Sequence, residues 1–301
     1  MDSPFFSVIT PSWNQGAWIN GCITSVLEQN ASDVEHIIVD NCSTDKTLSV
    51  LECYPHLKVI IEPDCGQSQA INKGFRRAQG EIICWLNADD QYLPGTFSLI
   101  RHWFADPAVD VIYGDAEEVF FDGRGTQTRQ ARFADRKDLL IWWDRRTDIL
   151  QPAVFFRRKV LDSVGLLRED LHLIMDTEFW WRLSEQYQFY YIPTPLARQQ
   201  RIAESKTMQN VAAIYEEKAR VFTPLLPAVL PGPSWRRTLI RRCGMARRWR
   251  TIAQYAAHHN PVTCCNYLYR AIYENPFIFF TFSWWKVLTI ALISASFRPK
   301  P

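Results

Sequence analysis

The sequence predicts an α/β protein with a doubly wound, mostly parallel sheet flanked by helices, followed by a helical tail that is basic and apolar. Strand and helix patterns alternate four times within the first ninety residues, polar side chains follow directly on each apolar strand run, and charge is spread unevenly along the chain. The 301 residues are 47% apolar and include 12 Trp, 18 Phe and 11 Tyr, enough for a large core. Disordered, collagenous and disulfide-stapled classes are excluded.

Phe5–Thr10 reads as a short buried strand, and Ile19–Leu27 as a helix with Ile19, Ile23, Val26 and Leu27 on one side. The β-branched run His36–Asp40 is a second strand that ends on a carboxylate. Ser43–Thr47 supplies capping residues for a helix over Leu48–Cys53. Lys58–Ile61 is the third strand, Ser68–Arg77 the third helix, and Glu81–Leu86 the fourth strand, ending at Asn87-Ala88-Asp89-Asp90. Parallel sheets hold ligands beyond the carboxyl ends of their strands. Thr10, Asp40, Glu62 with Asp64, and Asn87 with Asp89 and Asp90 all lie just past a strand, so four strand ends aim polar groups at one crevice. The first turn, Pro11–Gly16, has one glycine; neither a G-x-G-x-x-G nor a G-x-x-x-x-G-K-[ST] motif occurs. A divalent metal on carboxylates is then the expected means of holding phosphate.

The eight cysteines form no C-x-x-C pair and no metal-finger spacing, and read as reduced thiols of a cytosolic enzyme. Residues 1–15 have neither a basic start nor an apolar run, so no secretory signal is expected. Residues 221–301 hold eleven Lys/Arg against a single acid, Glu274, which leaves 23 bases and 31 acids in the first 220. An acidic body with a basic tail implies an anionic partner for the tail.

Six blocks, in order, resemble the family 2 glycosyltransferases of GT-A fold: Ser7–Asn14 (S-V-I-T-P-S-W-N), Ile38–Thr47 (I-V-D-N-C-S-T-D-K-T), Glu62–Phe75, Glu81–Gly95, Val111–Asp115 and Leu171–Leu183. The resemblance spans about residues 5–207. It implies an inverting, hexosyltransferase-type enzyme that uses a nucleotide-diphosphate sugar. On this resemblance Thr10, Pro11 and Asp40 match positions lining base and ribose, a UDP-sugar being the expected donor, and Asn14 closes the same block. Asp64 matches a further nucleotide-side acid, and Lys73 is a candidate to neutralise diphosphate. Asn87 and Asp89 stand at the family's D-x-D element, with Asn in place of the first acid, and Asp89 is the expected ligand of Mn2+ or Mg2+. Asp176 falls at the catalytic base and lies early in a helix over Asp176–Gln186, anchored by Phe179, Trp180 and Leu183; Glu178 supports the helix or the acceptor. The family's Tyr-Arg-x-His places its His at Ile202, so Arg198 or Arg201 is expected to hold the diphosphate instead, ahead of Ser205-Lys206-Thr207. The Q-x-x-R-W block of processive members is missing, which points to one sugar per encounter.

These readings divide the chain into a nucleotide-sugar half (1–100), an acceptor half with the base (101–220) and a membrane-associating tail (221–301). In the tail, Pro224, Pro227, Pro231 and Pro233 read as a linker. Trp235–Arg250 carries seven Arg and no acid and reads as a helix on an anionic membrane, with no recognition fold for nucleic acid. Residues 276–297 are apolar but for Lys286 and scattered Ser/Thr, a segment that is long enough to span a membrane and that fits equally as a helix lying on the membrane or packing on the enzyme body. The expected acceptor is a glycan or lipid-linked hydroxyl, and the expected location is cytoplasmic, on the inner face of the membrane. A nucleotidyltransferase would want a basic loop after the first strand, where Pro11–Gly16 has none; a decayed binding relative is the other alternative, encouraged by Asn87 and Ile202.

Overall fold

The computed structural model describes residues 3–121, 123–130, 136–141, 149–202, 206–230, 232–256, 261–280 and 285–289. They form two compact units, one of residues 1–139 and 146–221, the other of residues 140–145 and 222–301.

In the first unit β1 (Phe6–Ser12), α1 (Ile19–Leu27), β2 (Val34–Asp40), α2 (Thr47–Leu51), β3 (Lys58–Ile61), α3 (Gln67–Arg77) and β4 (Ile82–Trp85) alternate as expected. Then come β5 (Gln91–Tyr92), α4 (Thr96–Phe104), β6 (Val111–Phe120), β7 (Gly125–Arg129), β8 (Val154–Arg157), α5 (Val160–Val164), α6 (Met175–Gln186), β9 (Phe189–Arg201), α7 (Lys206–Gln209) and α8 (Val211–Phe222). Among the described residues nine strands make one sheet in the order β3-β2-β1-β4-β8-β6-β9-β5, with β7 on β6. The pairs among β3, β2, β1 and β4 are all parallel, as is β6 with β9; β8 runs antiparallel to both β4 and β6. Every residue of β1 is buried, the mark of a central strand covered on both faces.

Packing explains where the site sits. Phe6 stacks on Phe97 at 4.4 Å and Tyr92 lies 5.5 Å from Phe155, filling one face of the sheet. On the other face α3 lies so close to β1 that a Cβ at Gly74 would stand 2.3 Å from Cγ2 of Ile9. Phe75 of α3 meets Phe156 of β8 at 5.9 Å, and Phe156 meets Phe179 and Trp180 of α6 at 5.7 and 6.2 Å. Phe179, Trp180 and Leu183 are buried, so α6 is anchored to the sheet by its inner face.

In the second unit the expected proline linker is replaced by helical turns: a 3-10 turn over Thr223–Leu225 and α9 (Leu226–Val229), each with proline in its first two positions. There the missing N–H costs nothing, and the fixed φ suits a helix start. Within that unit α10 (Ser234–Ala256) and α11 (Pro261–Glu274) pack together, with Trp249 stacked on Tyr267 at 5.7 Å. Pro276–Phe280 forms a 3-10 helix. Residues 281–284 and 290–297 of the expected apolar segment lie outside the described residues. No helix among the described residues is long and apolar enough to cross a membrane.

Candidate active site

A cavity of about 800 Å3 opens beyond the carboxyl ends of β1, β2 and β4. Its first wall is the loop after β1, which is stapled to the loop before α2. Asn14 N–H donates to Ser43 Oγ (2.8 Å), Gln15 N–H to Thr47 Oγ1 (2.9 Å) and Gly16 N–H to Asp45 Oδ2 (3.0 Å), while Asn14 Oδ1 accepts from Thr44 N–H (2.9 Å). Pro11 and Asn14 line the cavity, but the amide oxygen of Asn14 is spent on the backbone. Between them Trp13 projects onto the wall with 62% of its surface exposed.

Thr10 and Asp40 do not line the cavity. Thr10 is wholly buried, its Oγ1 3.0 Å from Nε2 of His36. The buried Asp40 carboxylate turns inward, accepting from Ser43 N–H and Ser43 Oγ at 2.7 Å each. Successive side chains of an extended chain point to opposite faces, and the next residue, Asn41, is the one that faces the cavity, its Oδ1 accepting from Asp64 N–H at 2.9 Å. The alternation of β2 carried past its last residue would have singled out Asn41. Asp64 lines the cavity, and burial pushes its pKa up against the opposing Gly66 N–H bond. Lys73 stays off the wall, held by Pro63 O (2.8 Å) and Glu62 (3.3 Å).

Asn87, Asp89 and Asp90 form the floor. The Asn87 amide is fully engaged by protein: Oδ1 accepts from Gln67 Nε2 (2.9 Å) and Trp85 Nε1 (3.0 Å), and Nδ2 donates to Gln151 Oε1 (2.9 Å) and Asp90 Oδ2 (3.3 Å). It contributes structure to the floor and has no polar capacity left for a ribose. Burial pushes both Asp89 and Asp90 upward, Asp90 further because Asp89 lies beside it, and Arg201 opposes the shift in both. Arg201 lines the cavity with its Nε 2.9 Å from Glu118 Oε1. Arg198, three positions earlier, lies on the other face of β9, paired to Glu117 at 2.8 Å and off the wall.

The opposite flank carries Asp176 in the first turn of α6, together with His172, Leu173, Met175, Ile202 and Lys206. Asp176 Oδ1 accepts from Thr177 N–H at 2.6 Å. Glu178 is buried and ion-paired to Arg182 at 2.8 Å, turned away from the cavity. Burial lowers the pKa of Lys206, and Glu217, Asp176 and Asp64 act against that shift. Ser205 lies outside the described residues. Asp89 and Asp176 thus share one cavity, while Asp40 lies beneath its wall.

Among the described residues no group of three or more His, Cys, Asp or Glu could hold a metal. A hard divalent cation needs no such cage when diphosphate oxygens complete its shell, and Asp89 is the floor carboxylate that could contribute to one.

Residues 7–165 match the model of the family described as Glycosyl transferase family 2. The chain is 30% identical to a PGL/p-HBAD biosynthesis glycosyltransferase of Mycobacterium bovis (strain BCG / Pasteur 1173P2) over 186 residues, 60% of this chain and 69% of that one. Its fold resembles Staphylococcus aureus TarS 1–349 in complex with UDP-GlcNAc, with a TM-score of 0.61 and 19% identity, covering 97% of this chain and 91% of that one. It also resembles the mannosyltransferase PcManGT of Pyrobaculum calidifontis in complex with GDP-Man and Mn2+, with a TM-score of 0.58 and 18% identity, covering 100% and 89%.

Proposed function

Because the chain belongs to glycosyl transferase family 2, we propose that it is an inverting, non-processive hexosyltransferase that moves a sugar from a UDP-sugar to a hydroxyl of a glycan or lipid-linked acceptor. The observation that carries this reading is the sharing of one cavity by Asp89 with Arg201 on the floor and Asp176 on the facing flank. The nucleotide sugars held by TarS and PcManGT support the donor class.

In this reading the base stacks on Trp13 and the diphosphate lies toward Arg201 and Asp89. Arg201 gives Nε and Nη2 to Glu118 Oε1, so the Nη1 side of its guanidinium is the part offered to phosphate oxygens in this reading. Asp176 takes the proton of the acceptor hydroxyl as that oxygen attacks the anomeric carbon; the bond to the diphosphate breaks on the far side and UDP leaves with the electron pair. The Thr177 N–H, bonded to Asp176 Oδ1, helps to orient that carboxylate at the start of α6. Mn2+ or Mg2+, when bound, supplies charge neutralisation for the departing diphosphate, and Asp89 would hold it.

The division into a nucleotide half (1–100), an acceptor half (101–220) and a tail (221–301) is part of the same proposal, with the tail resting peripherally on the inner face of an anionic membrane. Seven Arg on α10, with exposed Trp235 and Leu239, support that contact.

The test is UDP release from a panel of UDP-sugars with Mn2+, in wild type and Asp176→Asn. We expect turnover to fall at least ~10²-fold in the variant while UDP binding persists. Equal turnover in the two proteins removes Asp176 from the mechanism.

A further inference from the structure

The segment leading into α6 and the first turn of α6 carry the cavity residues His172, Leu173, Met175 and Asp176, and side chains from two directions hold that segment. From α3, Asn72 Nδ2 donates to Leu167 O and Asn72 Oδ1 accepts from Leu167 N–H, each at 2.9 Å, and Ser68 Oγ donates to Leu171 O at 2.8 Å. From α8, a single carboxylate takes three consecutive amides. Glu217 Oε1 accepts from His172 N–H (3.2 Å), and Oε2 accepts from Leu173 N–H (2.8 Å) and Ile174 N–H (3.1 Å).

Ile174 is the N-cap of α6 and His172 and Leu173 lead into it, so of the three amides that of Ile174 belongs to the first N–H groups with no partner within the helix. Ile174, the residue at the cap, makes no capping bond with its own side chain. Glu217 reaches these amides from 43 residues or more along the chain, and its negative charge is favoured at that end of the helix. Glu217 also pairs with the exposed Arg220, at 3.4 Å. Glu217 does not line the cavity.

We propose that Glu217 is a positioning residue for catalysis: by clamping the 172–174 amides it sets where the Asp176 carboxylate stands against the acceptor hydroxyl. The proposal rests on Asp176 being the base. Its consequence is selective, because the nucleotide wall built by Trp13, Asn41 and Asp64 does not depend on this clamp. Loss of Glu217 therefore lowers the rate of transfer and leaves UDP affinity in place. A misplacement of about 1 Å at a reacting group can cost on the order of 10²-fold.

Full-length wild type, Glu217→Gln, Glu217→Ala and Arg220→Ala are compared by turnover with the UDP-sugar that wild type accepts, by UDP binding in calorimetry, and by amide hydrogen exchange across 172–174. Glu217→Ala is expected to lower kcat ~30-fold or more, leave the UDP Kd within twofold, and speed exchange at 172–174 at least ~10-fold. Glu217→Gln keeps an oxygen for Leu173 and Ile174 but turns an NH2 toward His172, so its kcat falls between the two; Arg220→Ala behaves as wild type. A Glu217→Ala kcat within threefold of wild type, a joint loss of kcat and UDP binding, or unchanged exchange overturns the proposal. If Glu217→Ala fails to fold, Glu217→Gln decides: wild-type kcat and exchange overturn it, a reduced kcat with intact UDP affinity upholds it. If wild type turns over no UDP-sugar, the proposed function fails separately, and unaltered exchange at 172–174 in the variants still overturns the clamp.

Discussion

Asn87 Nδ2 donates to Gln151 Oε1 at 2.9 Å, joining the end of β4 to a residue 64 positions away. The bond fixes the chemical identity of position 87. An aspartate there would have no N–H for Gln151 or Asp90 and would add a third carboxylate beside Asp89 and Asp90.

Asn87→Asp is therefore expected to destabilise the protein by about 1–3 kcal/mol, or roughly 2–4 °C in Tm per kcal/mol. Burial and like charge penalise the ionised form, so the loss is larger at pH 8 than at pH 5. Differential scanning calorimetry of variant and wild type at the two pH values checks it; a Tm loss relative to wild type that is no larger at pH 8 than at pH 5 is the contrary result.

Trp13→Ala removes an exposed aromatic wall without opening the core. Base stacking on an aromatic side chain is worth about 1–3 kcal/mol, so UDP affinity should drop by roughly 5–150-fold with Tm unchanged. Calorimetric titration with UDP reads the first quantity and thermal melting the second.

Asp89→Asn should raise the Mn2+ concentration for half-maximal UDP release about 10-fold, since loss of one coordinating charge is worth on the order of 1.4 kcal/mol. A metal titration of wild type and variant at saturating donor decides this, and superposed curves would exclude Asp89 as ligand.

His36 is wholly buried, and that burial holds its pKa down at about 3 against an ordinary 6.5, so the native state refuses a proton that the unfolded chain accepts. Its stabilising contribution is complete above pH 6.5. As pH falls below that value, stability should drop by about 1.4 kcal/mol per unit until the folded-state pKa is reached. Urea midpoints between pH 7 and pH 5 should show this slope, and His36→Gln should flatten it; identical slopes would assign the acid sensitivity elsewhere.

Local pattern was enough to locate the strands and helices of the first hundred residues, because hydrophobic period acts over a few positions; the N-cap expected from Ser43–Thr47 did not form, since α2 starts at Thr47 behind Lys46, which makes no side-chain capping bond. Ile19–Leu27 and Lys58–Ile61 coincide with α1 and β3 residue for residue. Six ordered blocks likewise sufficed for the family and its GT-A sheet. Which atom of each block meets the cavity was not written locally. Ser43 draws the Asp40 carboxylate inward and leaves Asn41 on the wall. Glu117 and Glu118 take Arg198 and Arg201 to opposite faces of β9. Gln67, Trp85, Asp90 and Gln151 use up the Asn87 amide.

Glu217 left no local signal at all, since nothing near position 217 states that three amides more than forty residues upstream lack partners. Amino-acid order determined the elements and the family, through interactions between near neighbours. Hydrogen bonds and ion pairs between distant segments, formed only once the chain had folded, decided which polar groups remain free to meet a ligand.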